Sequence, residues 1–115
     1  MSKVSMPRPR YLAFEVAAGA PVPRKAFASA LRAAARAGGW AESDAPQLTR
    51  YAWPHGVVRV EHLHAARARG LLAGITWAQD GAGPRAEVRV RTLATSGTLK
   101  ALAARTGVLG SRDAS

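Results

Sequence analysis

An α+β sandwich is the fold class this sequence predicts: a four-stranded antiparallel sheet with two helices on one face and a third, C-terminal helix. Three observations lead to it. Hydrophobic residues alternate with polar ones in four separate segments, apolar residues recur at helical spacing in two stretches between them, and glycine or proline marks the junctions. At 115 residues the chain has room for one layered core and not for two.

The first strand is read over Arg10 to Val16, where Leu12, Phe14 and Val16 fall on one face and Tyr11, Ala13 and Glu15 on the other. Turn residues from Gly19 to Pro23 follow. The first helix groups Phe27, Leu31 and Ala34 on one side and Lys25, Arg32 and Arg36 on the opposite side, and Gly38 and Gly39 end it. After the turn-like stretch from Trp40 to Pro46, the segments Gln47 to Trp53 and Val57 to Glu61 form a hairpin closed by Pro54, His55 and Gly56. The second helix, Leu63 to Ile75, carries Ala68, Leu71, Leu72 and Ile75 on one face with Arg67 and Arg69 beside it. Gly70 and Gly74 weaken it by about 1 kcal/mol each relative to alanine, so it relies on packing. A loop through Asp80, Gly81, Gly83 and Pro84 leads to the clearest strand, Arg85 to Leu93, where Ala86, Val88 and Val90 alternate with Arg85, Glu87, Arg89 and Arg91. The third short helix is read over Ser96 to Ala104. Residues 10–105 thus read as a single domain in the split βαβ order of RRM-like and ferredoxin-like sheets, between a basic flexible tail at 1–9 and a flexible tail at 106–115.

Charge narrows the function. With 17 Lys and Arg against 7 Asp and Glu, the chain carries a net charge of +10, a dense positive field that calls for a polyanion. An anionic membrane also attracts such a field. Yet no run approaches the ~18 apolar residues of a spanning helix, and no membrane partner is expected. The N-terminal stretch holds Lys3, Arg8 and Arg10 with Pro7 and Pro9 and no apolar run of signal-peptide length, so a cytoplasmic location is expected. The absence of cysteine excludes disulfides, thiol chemistry and cysteine zinc sites. Seven scattered acids and no nucleophile–base pair give no catalytic residue. His55, His62 and His64 lack a clustered carboxylate set, so neither a metal nor any cofactor is expected on the chain itself.

Two constellations are candidates for anion binding. Arg59, Arg89 and Arg91 lie at outward strand positions and can grip phosphates, although Glu15, Glu61 and Glu87 occupy the same outward set and can pair with them instead. Ser96, Gly97 and Thr98 open the third helix with Lys100 nearby, which serves either as an anion cradle or as a plain N-cap. RRM modules stack bases on aromatic residues of the third strand, but the stretch Gly56 to Glu61 has none, so grip on folded RNA through phosphates and shape is expected. Trp40, Trp53 and Trp77 lie in or beside loops and are expected to anchor a partner.

Three stretches resemble a known family. Arg10-Tyr11-Leu12-Ala13-Phe14-Glu15-Val16 is similar to the opening strand of the archaeal ribonuclease P protein component 2 family, which belongs to the eukaryotic and archaeal ribonuclease P/MRP small subunits. Gly56-Val57-Val58-Arg59-Val60 through Arg69 resembles its middle strand and helix, and Arg91-Thr92-Leu93 followed by Ser96-Gly97-Thr98-Leu99-Lys100 resembles its most characteristic stretch. They occur in the family's order at about its spacing, over roughly residues 10 to 105. Ala94-Thr95 stands where the family commonly has Gly-Val, and Gly70 and Gly74 where it has larger apolar residues. The resemblance implies an RRM-like sandwich and a non-catalytic subunit of the ribonuclease P endoribonuclease, whose RNA removes the 5′ leader of precursor tRNA with Mg²⁺ held by RNA. Implied partners are ribonuclease P RNA, the TIM-barrel protein component 3, other ribonuclease P proteins, precursor tRNA indirectly, and a second copy within a heterotetramer. The expected RNA contacts are then Arg59, Arg69, Arg89, Arg91, Ser96, Gly97, Thr98 and Lys100, with Lys25, Arg32 and Arg36 as an additional basic stripe. A general RNA-binding or ribosomal-type protein shares the charge. An acylphosphatase-like enzyme would need an Asn this chain lacks, and a small-molecule regulatory domain is disfavoured by the charge.

Overall fold

The two-residue alternation of the sequence becomes strand in the computed structural model, which describes residues 8–79, 81 and 83–98. The elements are β1 (Pro9–Ala18), α1 (Arg24–Ala37), β2 (Gln47–Ala52), β3 (His55–Glu61), a 3-10 turn (His62–His64), α2 (Ala65–Ala73), β4 (Trp77–Gln79) and β5 (Arg85–Ser96). The sheet has five strands in the order β2-β3-β1-β5-β4, every neighbouring pair antiparallel. Strands β1 and β2 therefore run parallel with β3 between them, and β3 and β5 run parallel with β1 between them. These are two interlocked split βαβ units.

The expected four-stranded sheet is corrected by β4. Trp77, Ala78 and Gln79 pair with Glu87, Ala86 and Arg85, adding a fifth strand at the edge, between the expected helix end at Ile75 and the loop expected from Asp80. Three residues are too few for alternation to register, and only the fold back through Gly81 to Pro84 brings them beside β5. Other boundaries move as well. The hairpin turn is Trp53–Pro54, joined by a cis peptide, and His55 and Gly56 belong to β3. Strand β5 runs past Leu93 to Ser96 through a bulge, since Phe14 pairs with Thr92 but Ala13 with Ala94. Of the helix expected over Ser96 to Ala104, Ser96 ends β5, Gly97 and Thr98 form a bend, and the remainder lies outside the described residues.

The core forms where strand and helix periods converge. Leu12, Phe14 and Val16 of β1, Val58 and Val60 of β3, and Val88 and Val90 of β5 are buried against Phe27 and Leu31 of α1 and Ala68 and Leu72 of α2. Phe14 stacks on Phe27 with ring centroids 4.9 Å apart, and Phe27 in turn on Tyr51 at 5.6 Å. The buried face of α1 is otherwise mostly small, with Ala26, Ala30 and Ala35, which lets the helix lie close to the sheet. It touches β2 at one edge and β4 at the other, so the sheet curls about it. On the opposite face Ala13 and Val57 are also buried, with Tyr11, Leu93 and Ala94 packed against them.

The tryptophans are tied down rather than free. Trp40 and Trp53 pack against the main core, and the Arg85 guanidinium lies 4.4 Å from the centre of the Trp77 ring. Trp40 and Trp53 thus close the core edge, and all three rings are half-buried. Leu63, in the 3-10 turn, is the large apolar residue that stands exposed among the described residues.

Candidate nucleic-acid interface

Strand register decides which basic residues share a surface. Arg59, Arg89 and Arg91 are all exposed on the sheet face opposite the helices, as alternation predicts. Arg89 and Arg91 are neighbours on β5, and Arg59 stands apart. Arg59 is level with Tyr11 and Arg91 with Glu15, which separates them by two strands and four residues, or ~17 Å from strand geometry.

Acids on that face take part of the charge. Glu15 accepts a 2.7 Å hydrogen bond from the Arg91 guanidinium, and its other oxygen lies 3.6 Å from His55 Nε2. The cross-strand pairing that competes with phosphate binding is thus realised at Arg91. Arg59 lines a cavity of about 250 Å³ together with Asp44 and Glu61, and Arg89 lines one of about 560 Å³ with Glu87, Ala17, Ala18 and Thr76. Tyr11 lies on the same face on the central strand, an aromatic that a search of the third strand alone misses. The alternation of β1 already placed it outward.

At the end of β5 the Thr98 N–H donates to Ser96 Oγ at 3.4 Å, the geometry of a hydroxyl capping the backbone two residues on. Gly97 is exposed, and a Cβ there would come 3.3 Å from the Arg10 guanidinium, so a cation not among the expected RNA contacts sits beside this bend. Lys100 lies outside the described residues.

The remaining basic positions lie on the other side of the molecule. Lys25, Arg32 and Arg36 are exposed on α1 and Arg69 on α2, so Arg69 does not join Arg59. Two arginines not expected as RNA contacts complete this layer. Arg24 donates to the Leu48 carbonyl at 3.2 Å, and Arg67 donates to the Gly38 carbonyl at 3.0 Å while its guanidinium lies 4.0 Å from the centre of the Trp40 ring. A groove of about 260 Å³ runs along Arg32, Arg36, Trp40 and Glu42.

The histidines do not gather. His64 faces Asp44 at 3.9 Å and the edge of Trp40, while His55 is engaged with Glu15. Among the described residues no three His, Asp or Glu side chains are grouped to hold a metal, and no helix is long and apolar enough to cross a membrane. Among the described residues the perturbed titrating group is Tyr51, whose phenol donates to the Val22 carbonyl at 2.6 Å and is pushed up to about 12 by burial.

No family model matches the sequence, and no curated protein matches it. Among solved structures, one chain in the cryo-EM structure of yeast ribonuclease MRP is similar, with 12% sequence identity, a TM-score of 0.61, and coverage of 84% of this chain and 79% of that one. At that identity the likeness is one of fold, and it extends over most of both chains.

Proposed function

We propose that this chain is a non-catalytic, RNA-binding protein subunit of a ribonucleoprotein of the ribonuclease P/MRP type. The observation that carries the reading is the shared fold with a chain of yeast ribonuclease MRP over 84% of this molecule, in a chain of net charge +10. The three family-like stretches support it by their placement, since they fall on β1, on β3 through α2, and on the end of β5. These are the central strand and both of its neighbours.

In its finer form the reading is a ribonuclease P subunit of the cytoplasm. It assists a catalytic RNA that removes the 5′ leader of precursor tRNA with Mg²⁺ bound by the RNA, and it works beside protein component 3 and a second copy of itself. Physically, its part is electrostatic. Arginines and lysines displace counterions from crowded phosphates, so the folded RNA is reached at lower Mg²⁺. The chain contributes no nucleophile, acid or base to the cleavage.

Reconstitution tests this directly. Precursor-tRNA cleavage by ribonuclease P RNA with component 3 is measured across a Mg²⁺ titration, with and without this chain. The expected result is a shift of the half-maximal Mg²⁺ concentration to lower values when the chain is added. Identical Mg²⁺ curves and rates in the two arms would sink the proposal.

A further inference from the structure

We infer that the outer surface of the two helices, and not the open sheet face, is the side that grips RNA, and that it takes the sugar–phosphate backbone of a double-stranded segment; this rests on the reading of the chain as an RNA-binding subunit. The helix layer presents Arg24, Lys25, Arg32, Arg36, Arg67 and Arg69, all exposed, and neither helix contains a single acid. On the sheet face the arginines share their surface with Glu15, Glu61 and Glu87, and Arg91 is already bound to Glu15. Acids also stand beside the helix layer, in the loop after α1, where Asp44 faces His64 and Glu42 lines the groove beside Arg32 and Arg36. The strongest uncompensated positive field therefore lies on the helices, the side that carries no open face.

This surface opposes the helix that carries it. Arg32 and Arg36 are one turn apart, a spacing at which like charges destabilise a helix. Arg24 and Lys25 occupy the first turn, where the helix dipole disfavours cations, and no acid there offsets them. Local rules broken together on one surface, with Glu42 as the acid that lines the groove beside Arg32 and Arg36 among the described residues, mark a surface that an external anion completes.

The geometry selects a backbone rather than bases. Lys25 to Arg36 spans ~16 Å along α1, long enough to meet several successive phosphates of one strand. Arg67 is held in place by Trp40 and the Gly38 carbonyl, and Arg24 by the Leu48 carbonyl, so fixed guanidiniums flank α1 near both of its ends. The aromatic in this layer, Trp40, packs against the core and lies under Arg67, so it offers no open ring for an unpaired base. Phosphate contacts without base stacking are how a duplex is held by shape.

Two variants that lose the same charge separate the faces. One carries Lys25→Gln, Arg32→Gln, Arg36→Gln and Arg69→Gln; the other carries Arg59→Gln, Arg85→Gln, Arg89→Gln and Arg91→Gln. Glutamine is a good helix former, and thermal melts establish that both variants fold. Binding of the full chain to an RNA hairpin, with a stem longer than the basic stripe, is measured against salt. A single-stranded RNA of the same length and polyglutamate serve as comparison probes. The helix variant should lose about 3 to 4 units of log–log salt slope on the hairpin, at roughly 0.9 per phosphate contact, and the sheet variant about one or less. Equal losses in both variants, a larger loss in the sheet variant, or a helix variant that keeps its hairpin slope but loses polyglutamate binding would each overturn the inference. Failure of the unmutated chain to bind either RNA would instead overturn the subunit reading beneath it.

Discussion

Gly56 and Phe14 make one unit. They are directly paired across β1 and β3, and a Cβ on Gly56 would drive into the Phe14 ring that stacks on Phe27. Gly56→Ala should therefore destabilise the fold by about 1–3 kcal/mol through overpacking, and Phe14→Ala by about 3–5 kcal/mol through the cavity it leaves. Gly70 is the opposite case, an exposed position inside α2 with nothing within reach of an added Cβ. Gly70→Ala should stabilise by about 0.5–1 kcal/mol. Urea denaturation of the three variants checks the signs, and a silent Gly56→Ala would show that the ring is not held over that backbone. Tyr51 supplies a pH dependence. Its folded value of about 12 lies above its ordinary 10.0, so its neutral form is favoured by folding. That stability is fully present below about pH 10 and is lost as pH rises toward about 12. Denaturation midpoints across this range should fall in the parent and fall less steeply in Tyr51→Phe, whose own cost is about 1 kcal/mol from the lost bond to the Val22 carbonyl.

At the scale of elements, what could be read from the sequence was set by length and by regularity. Four strands were legible because each runs for six or more residues between turn signals, whereas β4 has three. The end of β5 was hidden by its bulge, because Leu93 and Ala94 both pack toward Ala13 and Val57 and alternation stops there. The outward setting of Arg59, Arg89 and Arg91 followed from the same alternation. The capture of Arg91 by Glu15 did not, since it depends on the register between strands far apart in sequence. Arg67 was invisible as a fixed guanidinium for a related reason: Trp40 and Gly38 reach it only through the packing of the α1–β2 loop beside α2. Strand β4 gives a test. Ala78 is buried at 1% exposure, so Ala78→Asp should cost on the order of 3–5 kcal/mol, the penalty of an uncompensated interior charge. A melt within a few degrees of the parent would return Trp77–Gln79 to the loop that the sequence reading had there.

At the scale of the whole molecule, the strand order makes the first strand the last to be satisfied. Leu12 pairs with Val58 on one side and with Thr95 on the other, so β1 is completed only by the final strand of the sheet. Contacts this distant along the chain make folding slow, because the loops must close before they are rewarded. A chain ending at Pro84 lacks β5, exposes one side of β1 and loses Val88 and Val90 from the core, so it should show no cooperative thermal transition; a sharp transition in that fragment would contradict the central role of β5. The same order sets the timing of life in the cell. As the polypeptide leaves the ribosome, β1 emerges ahead of its partners and keeps one edge unpaired, and its apolar face only partly covered, until β5 has been made. Stable folding is thus deferred until β5 is available, and in that interval the nascent chain depends on whatever shields Leu12, Phe14 and Val16 from other strands.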